Sequence, residues 1–180
     1  MQLVDTVSAA LPSDATVTVD AGAHFLAIMP LWPVANPFDL LISNGLSTMG
    51  YAVPAAIGAA VARPDRPVVA LVGDGGLGMT MAELETIARL DLPITVVVFN
   101  DAALSLIEIK QRDQHGGAAA VKYRETDFAA IARASSIGGL IARSADELRM
   151  ALDGDWTRPR LVDARIDPSS YRALIATTRG

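Results

Sequence analysis

The chain has 180 residues, 51% of them apolar and none of them cysteine, which excludes disulfides, thiolate zinc sites and iron–sulfur clusters. A net charge of −5 and the absence of a basic cluster argue against a nucleic-acid partner. No apolar segment approaches the roughly 20 residues of a membrane span and no signal peptide opens the sequence, so we expect a cytoplasmic protein made of one domain, residues 1–180.

Extended and helical patterns alternate along the chain, as they do in α/β proteins. In chain order, the predicted strands cover residues 16–20, 39–42, 68–72, 94–99, 140–142 and 160–166. The predicted helices cover residues 3–11, 51–62, 104–111 and 128–134, and two more begin at the capping boxes Thr80–Glu83 and Ser144–Glu147. This alternation predicts a three-layer α/β/α fold with a mainly parallel sheet.

The strands over residues 68–72 and 94–99 lack polar alternation, which indicates burial on both faces, and the helical pattern between them predicts a βαβ unit. Asp74 and Asp101 therefore follow the carboxyl ends of parallel strands, where open α/β sheets bind ligands. The glycine-rich turn around Asp74 offers backbone N–H groups to a phosphate, and two carboxylates beside a phosphate suit Mg²⁺. On residue type alone, both aspartates are equally explained as helix caps.

Other segments leave alternatives open. His24, which follows the first strand, is either a hydrogen-bonded structural histidine or an active-site histidine. The small residues of helix 51–62 indicate tight packing on the sheet, or a preceding loop pressed against a cofactor. The glycine- and alanine-rich residues 115–120 predict a mobile loop, either a lid or a plain surface loop. The tail from Pro168 has little pattern, and its apolar residues, with the loop around Tyr51, are candidates for a partner surface.

The 27 positions from Asp74 to Asp101, within Gly73-Asp74-Gly75 and Asn100-Asp101, resemble the spacing of the thiamine-diphosphate-binding motif. Residues 20–24, 44–59 and 104–111 are also similar to the C-terminal domain of acetolactate synthase and related 2-oxoacid decarboxylases and carboligases. The resemblance implies a domain that binds thiamine diphosphate and Mg²⁺.

Residue by residue, the resemblance implies that the carboxylates of Asp74 and Asp101 and the backbone carbonyl of Ala103 bind Mg²⁺. After Gly73, the amides of Gly75 and Gly76 would bind the diphosphate.

The loop before helix 51–62 is implied to hold the other end of the cofactor. Met49 would be the apolar wedge that bends it, and backbone groups of Ser47 and Met49 would hold its aminopyrimidine. Met49 and His24 are the candidate catalytic residues.

The sequence departs from the family pattern in several places. Asp101 replaces an asparagine, and Gly76 stands where many relatives have a serine. Residues 106–111, Leu-Ile-Glu-Ile-Lys-Gln, replace Met-Val-Arg-Gln-Trp-Gln of acetolactate synthases, in a segment that lines the family's substrate pocket.

No room is left in the chain for the pyrimidine-binding domain whose glutamate activates the cofactor. We therefore expect half of an active site for a 2-oxoacid substrate, completed in an oligomer by another chain or by the missing part of a longer protein. One alternative is a cofactor-binding module without turnover. Another is an unrelated nucleotide or phosphate binder, which leaves the Met49 loop unexplained.

Overall fold

The computed structural model describes residues 2–178, which form a six-stranded sheet flanked by helices. The strands run in the spatial order β2-β1-β3-β4-β6-β5, and every neighbouring pair is parallel. The strands are β1 (Thr16–Val19), β2 (Leu40–Ile42), β3 (Val68–Gly73), β4 (Ile94–Asn100), β5 (Gly138–Ala142) and β6 (Arg160–Arg165).

The helices connect these strands and cover both faces of the sheet. They are α1 (Gln2–Ala10), α2 (Ala23–Ile28), α3 (Ala52–Ala62), α4 (Asp74–Thr80), α5 (Glu83–Arg89), α6 (Ser105–His115), α7 (Phe128–Ala134), α8 (Ala145–Leu152) and α9 (Tyr171–Thr178), the last preceded by a 3₁₀ turn, Pro168–Ser170. Within residues 2–178 no helix is long and apolar enough to span a bilayer.

The central strands have no solvent-facing side, because successive residues of a strand enter two different cores. In β3, Val68, Ala70 and Val72 pack with α3, α5 and α7, whereas Val69 and Leu71 pack with α1, α2 and α8. Each such side chain, fully buried, contributes about 1.5–3 kcal/mol. The predicted three-layer α/β/α fold is confirmed, and the sheet is parallel throughout.

Helix α3 uses its alanines for packing on the sheet. Ala52, Ala56 and Ala60 are fully buried in the core, while Gly58 is exposed with open space around it. Tight packing therefore accounts for the alanines of this helix, and Gly58 does not mark a close approach of another backbone.

The capping box predicted at Thr80–Glu83 is wrong. Thr80 is the last residue of α4, and its hydroxyl donates to Gly76 O at 3.3 Å, while α5 starts after Ala82 without a side-chain cap. The glycine-rich stretch is likewise the first turn of α4 rather than an open turn. At Ser144 the predicted N-cap is confirmed, since Ser144 Oγ accepts a hydrogen bond from Glu147 N at 3.1 Å, but the Glu147 carboxylate accepts from Arg143 N at 2.6 Å instead of completing the box at Ser144 N.

Two short helices, α2 and α9, were not predicted from the sequence. Helix α2 has six residues and ends just before Pro30, so its apolar pattern is too brief to stand out. Helix α9 follows a segment without clear periodicity, yet its Tyr171 is buried and Leu174 packs on the core of the same chain. Tyr171 is therefore not part of a partner surface.

Candidate functional site

A cavity of about 250 Å³ opens at the carboxyl ends of β1, β3 and β4. It is bounded by the loops that follow these strands and by the start of α6. Every residue that sequence analysis assigned to a site lines it: His24, Ser47, Met49, Gly73, Asp74, Gly75, Gly76, Asp101 and Ala103. The parallel order of the strands thus gathers residues that lie up to 79 positions apart in the sequence. Residues 115–120, the predicted lid or surface loop, do not line the cavity, and His115 is the last residue of α6.

Asp74 begins helix α4 and is 5% exposed. Its Oδ1 accepts a hydrogen bond from Gly75 N at 2.7 Å, while its Oδ2 is buried without a hydrogen-bond partner among the residues described. Burial raises the pKa of this carboxyl group. A buried carboxylate oxygen without a partner is unfavourable unless a cation or a donor reaches it.

Asp101 follows β4 and faces the same cavity. Its Oδ2 accepts from Ser105 Oγ at 2.6 Å, and its Oδ1 accepts from Ala103 N at 3.2 Å. Burial and the negative charge of Asp74 raise the pKa of Asp101 to about 6. Neither aspartate is a helix N-cap, since those positions belong to Gly73 and Leu104. Two mutually repelling carboxylates in a buried cavity favour a bound cation.

The backbone of Ala103 is turned toward the cavity by a neighbouring segment. Leu104 N donates to Val121 O at 2.8 Å and Tyr123 N to Ala102 O at 3.1 Å, in antiparallel register. Ala103 is then the non-hydrogen-bonded position of the pair, so its amide and carbonyl point away from this segment. The amide meets Asp101 Oδ1 at 3.2 Å.

The donor set therefore fits Mg²⁺. Within residues 2–178 no group of three or more His, Cys, Asp or Glu side chains is arranged around a metal position. Two carboxylates and one backbone carbonyl leave further positions to water or to phosphate oxygens, which Mg²⁺ commonly retains. The residues present thus match a magnesium-diphosphate site better than an all-protein metal cage.

Asp20, which sequence analysis left without a role, organises the Met49 loop. Its side chain is fully buried, with Oδ2 accepting from Gly50 N at 2.9 Å and Oδ1 from Tyr51 N at 2.7 Å and Ala52 N at 3.2 Å. These amides belong to the start of α3, whose first N–H groups lack partners within the helix. A carboxylate directly after a strand was the only sequence signal.

Asn100 and Asp163 hold the loop that carries Asp101. Asn100 Nδ2 donates to Asp163 Oδ1 at 2.9 Å and to Thr126 O at 3.0 Å, and Asn100 Oδ1 accepts from Ala102 N at 3.3 Å. Ala102 has a φ of 56°, an unfavourable value for alanine, so this contact stabilises a strained turn. Asp163 stands out in the sequence only as a charge within an apolar strand.

Tyr123 is a second residue that sequence analysis missed. Its hydroxyl lies beside the Asp74 carboxylate and lowers the pKa of Asp74, which partly opposes the effect of burial, but it makes no hydrogen bond to Oδ2. Burial and Asp74 raise the pKa of Tyr123 itself. Tyr123 lies in an irregular segment remote in sequence from Asp74, so no local sequence pattern predicted its position at the site.

His24 is 4% exposed and stacks on Phe99, with ring centroids 5.3 Å apart. Burial lowers its pKa to about 4, while a hydrogen bond with the Asp20 backbone acts in the opposite direction. Its Nε2 has no partner among the residues described. The imidazole is therefore neutral at pH 7, and its position on the cavity wall is compatible with the active-site interpretation.

The two glycines at the start of α4 leave space for their neighbours. A Cβ on Gly75 would lie 2.6 Å from Leu104 Cδ2 and 3.2 Å from Met49 Cε. A Cβ on Gly76 would lie 1.9 Å from Asp20 Oδ2. A side chain at position 76, where many relatives have serine, would displace Asp20 in this chain.

Comparison with known proteins shows the family to which the sequence is similar. The sequence model of the family described as thiamine pyrophosphate enzyme, C-terminal TPP binding domain, matches residues 20–164. The chain is 32% identical over 173 residues to an acetolactate synthase of Bacillus subtilis, covering 94% of this chain and 30% of that protein. It is 33% identical over 171 residues to a catabolic acetolactate synthase of Raoultella terrigena, covering 93% and 30%.

A third relative is the acetolactate synthase isozyme 1 large subunit of Escherichia coli, 38% identical over 109 residues, with 61% of this chain and 19% of that protein covered. The chain thus spans about 30% of the length of the first two relatives. The chain belongs to the thiamine pyrophosphate enzymes, and residues 20–164 correspond to the C-terminal TPP-binding domain of that family.

Proposed function

We propose that this chain is a single domain that binds thiamine diphosphate through Mg²⁺ and forms the diphosphate-binding half of a 2-oxoacid decarboxylase or carboligase. The observation that carries the proposal is the pair of carboxylates at the cavity, buried Asp74 and half-buried Asp101, with Asp74 Oδ2 unpartnered. A divalent cation would neutralise the repulsion between them and give that oxygen a ligand.

In this proposal Asp74, Asp101 and the carbonyl of Ala103 hold Mg²⁺. Gly73 allows the strand to pass directly into α4, and the amides of Gly75 and Gly76 lie in the first turn of that helix, where N–H groups lack helical partners. The Gly75 amide donates to Asp74 Oδ1 and would exchange that bond for a diphosphate oxygen once the metal held the carboxylate. The diphosphate would thus meet N–H donors on one side and the cation on the other.

The Met49 loop would hold the ring end of the cofactor. Met49 lines the cavity beside Gly75, and Asp20 fixes the loop through Gly50 and Tyr51. Met49 would act as a wedge, with backbone groups of Ser47 and Met49 at the aminopyrimidine. When bound, thiamine diphosphate supplies the nucleophilic carbon and the electron sink for reactions of 2-oxoacids.

His24 would act from the opposite wall, as a neutral hydrogen-bonding group near the reacting atoms. Its low pKa makes the charged form scarce at pH 7. It would therefore bind or orient a substrate oxygen without contributing a positive charge.

We propose that the active site is completed by a pyrimidine-binding domain, from another chain of an oligomer or from elsewhere in a longer protein. Exposed apolar side chains near the cavity support the presence of a surface that the partner domain would cover. Leu46, in the Met49 loop, is 89% exposed, and Met79, beside Gly50, is 62% exposed. Such side chains around a site are typical of surfaces that pack on a partner.

The experiment is calorimetric titration of the chain with thiamine diphosphate, with Mg²⁺ or with EDTA. We expect binding only with Mg²⁺, and its loss by at least 100-fold in Asp74→Asn, because the metal would lack a charged ligand. Asp146→Asn, at an exposed position of α8, is the matched control and should bind normally. Equal affinity in Asp74→Asn and the wild type would refute the metal assignment.

Adding a pyrimidine-binding partner separates an enzyme from a cofactor-binding module without turnover. The altered ligand Asp101 and the segment 106–111 are the features that favour such a module. Release of CO₂ from 2-oxoacids by the assembled protein supports the enzyme. Tight cofactor binding with no turnover in the assembly supports the module.

A further inference from the structure

Helix α6 forms one wall of the cavity and carries a lysine there. Leu106 and Lys110, one turn apart, both line it, and Lys110 is exposed. The same two residues line a second cavity of about 220 Å³, which shares Ser47 with the first. Lys110 thus lies where the two cavities adjoin.

Lys110 has no acidic partner in the described part of the chain. The acids of its own helix are bound elsewhere: Glu108 lies 2.8 Å from Arg112 Nη2, and Asp113 pairs with Arg172. Among the side chains described, Lys110 is also the only lysine or arginine lining either cavity. Its positive charge is therefore available to a ligand.

The metal end and the lysine end of the cavity are separated along α6. Ser105, the first residue of the helix, touches Asp101 at 2.6 Å and so marks the metal end. Lys110 follows five residues later, roughly 7.5 Å further along the helix axis. His24 provides no competing charge, because burial lowers its pKa to about 4.

We propose that Lys110 binds a second anionic group of the substrate, so that the 2-oxoacid used by this enzyme carries a distal carboxylate. The inference rests on the proposed function and names its substrate class. Apolar side chains, among them Leu104, Leu106 and Ile107, also line the cavity, which suits a short carbon chain. An ammonium group without a counter-ion beside that wall attracts a carboxylate through a charge-assisted hydrogen bond.

The test compares 2-oxoglutarate with 2-oxobutyrate in the assembled enzyme that contains this chain. We expect Lys110→Gln to lower kcat/KM for 2-oxoglutarate at least tenfold, mainly through KM, and to leave 2-oxobutyrate nearly unchanged. Lys110→Arg should restore most of the preference. The control is Lys122→Gln, the only other lysine, which lies 3.5 Å from Glu108 and does not line either cavity.

Cofactor affinity, measured on the same preparations, separates the outcomes. If Lys110→Gln weakens thiamine diphosphate binding and leaves the substrate ratio unchanged, Lys110 serves the diphosphate and the inference is wrong. An unchanged ratio with unchanged cofactor binding also overturns it. If the wild type binds no cofactor, the proposed function itself fails.

An assembly that binds the cofactor but shows no turnover can still be tested by saturation-transfer NMR. Glutarate and pentanoate are the two probes. Preferential binding of glutarate that disappears in Lys110→Gln supports the inference, and equal binding of both probes refutes it.

Discussion

Two pairs of aspartates lie near the carboxyl ends of the strands, all buried except half-buried Asp101, and the two pairs differ in their surroundings. Asp20 accepts three backbone N–H groups, and Asp163 accepts from Asn100, from Phe128 N at 3.0 Å and from Arg165 Nη2 at 2.8 Å. Asp74, by contrast, keeps one buried oxygen without a partner, and Asp101 is repelled by it.

The pKa values do not separate these pairs, because burial raises the pKa of all four carboxyl groups. Position at the cavity and hydrogen bonding together separate them. Asp74 and Asp101 both line the cavity, where Asp74 keeps one oxygen unbonded and Asp101, although both of its oxygens accept hydrogen bonds, faces that charge; Asp20 and Asp163 do not line it and are bonded by the chain. Asp20 and Asp163 thus position the loops on which Asp74 and Asp101 function.

The largest expected effect is on stability. Asp20→Ala and Asp163→Ala should each lower the free energy of unfolding by about 3–5 kcal/mol, because buried donors lose a charged acceptor. Asp74→Ala, without metal, should change it by less than about 1 kcal/mol, since its burial is already unfavourable. Urea denaturation in EDTA measures all three. If Asp20→Ala and Asp74→Ala lowered the free energy of unfolding equally, the two aspartates would not differ in their contribution to stability.

Gly76 packs against Asp20 and follows Asp74 by two residues, and Gly76→Ala should destabilise the protein by about 1–3 kcal/mol through overpacking against Asp20. The matched variant is Gly78→Ala in the same helix. A Cβ at Gly78 meets no atom within 4 Å, so this change should stabilise by about 0.5–1 kcal/mol. Thermal denaturation of both variants is the measurement, and a stabilising Gly76→Ala would show that Asp20 moves freely.

Tyr123 is expected to support the unsatisfied pair without supporting the fold. Tyr123→Phe should weaken Mg²⁺-dependent cofactor binding by about 10–100-fold, the usual effect of losing a hydrogen-bonding neighbour of a metal ligand. Stability should barely change, because the ring is retained. Tyr51→Phe is the control, since Tyr51 does not line the cavity. Calorimetry showing the same affinity in Tyr123→Phe and wild type would make the hydroxyl irrelevant.

The smallest expected effect is the pH dependence from Asp101. Its folded pKa of about 6 exceeds the ordinary 3.8, so the folded state binds more protons between these values. The stability contributed by protonation is therefore present below about pH 4 and lost as pH rises through 6. Without metal, the wild type minus Asp101→Asn difference in unfolding free energy should fall from pH 4 to pH 7.

His24 gives the opposite slope over nearly the same range. Its folded pKa of about 4 lies below the ordinary 6.5, so its contribution grows as pH rises. The subtraction of Asp101→Asn from wild type cancels it. A difference that stays flat from pH 4 to pH 7 would mean that Asp101 is not perturbed. With Mg²⁺, Asp101→Asn should keep or improve cofactor binding, because one repulsive charge is removed.

The sequence by itself determined the strands, the parallel α/β fold and the edge at which Asp74 and Asp101 lie. These follow from local properties: an apolar run without alternation is buried on both faces, and a residue directly after a parallel strand reaches the ligand edge. The same local rules misplaced the start of α5, because Thr80 satisfied the Gly76 carbonyl instead of capping the next helix.

Only the tertiary structure decided which buried acids find partners. Asp163 meets Asn100 across 63 positions, Tyr123 reaches Asp74 from a segment without regular structure, and Lys110 is left unpaired because its neighbours are engaged. Hydrogen bonds and ion pairs are short-ranged, so they depend on which side chains the folded chain brings within about 3–4 Å. The spacing of residues along the sequence does not specify these distances between side chains in the folded protein.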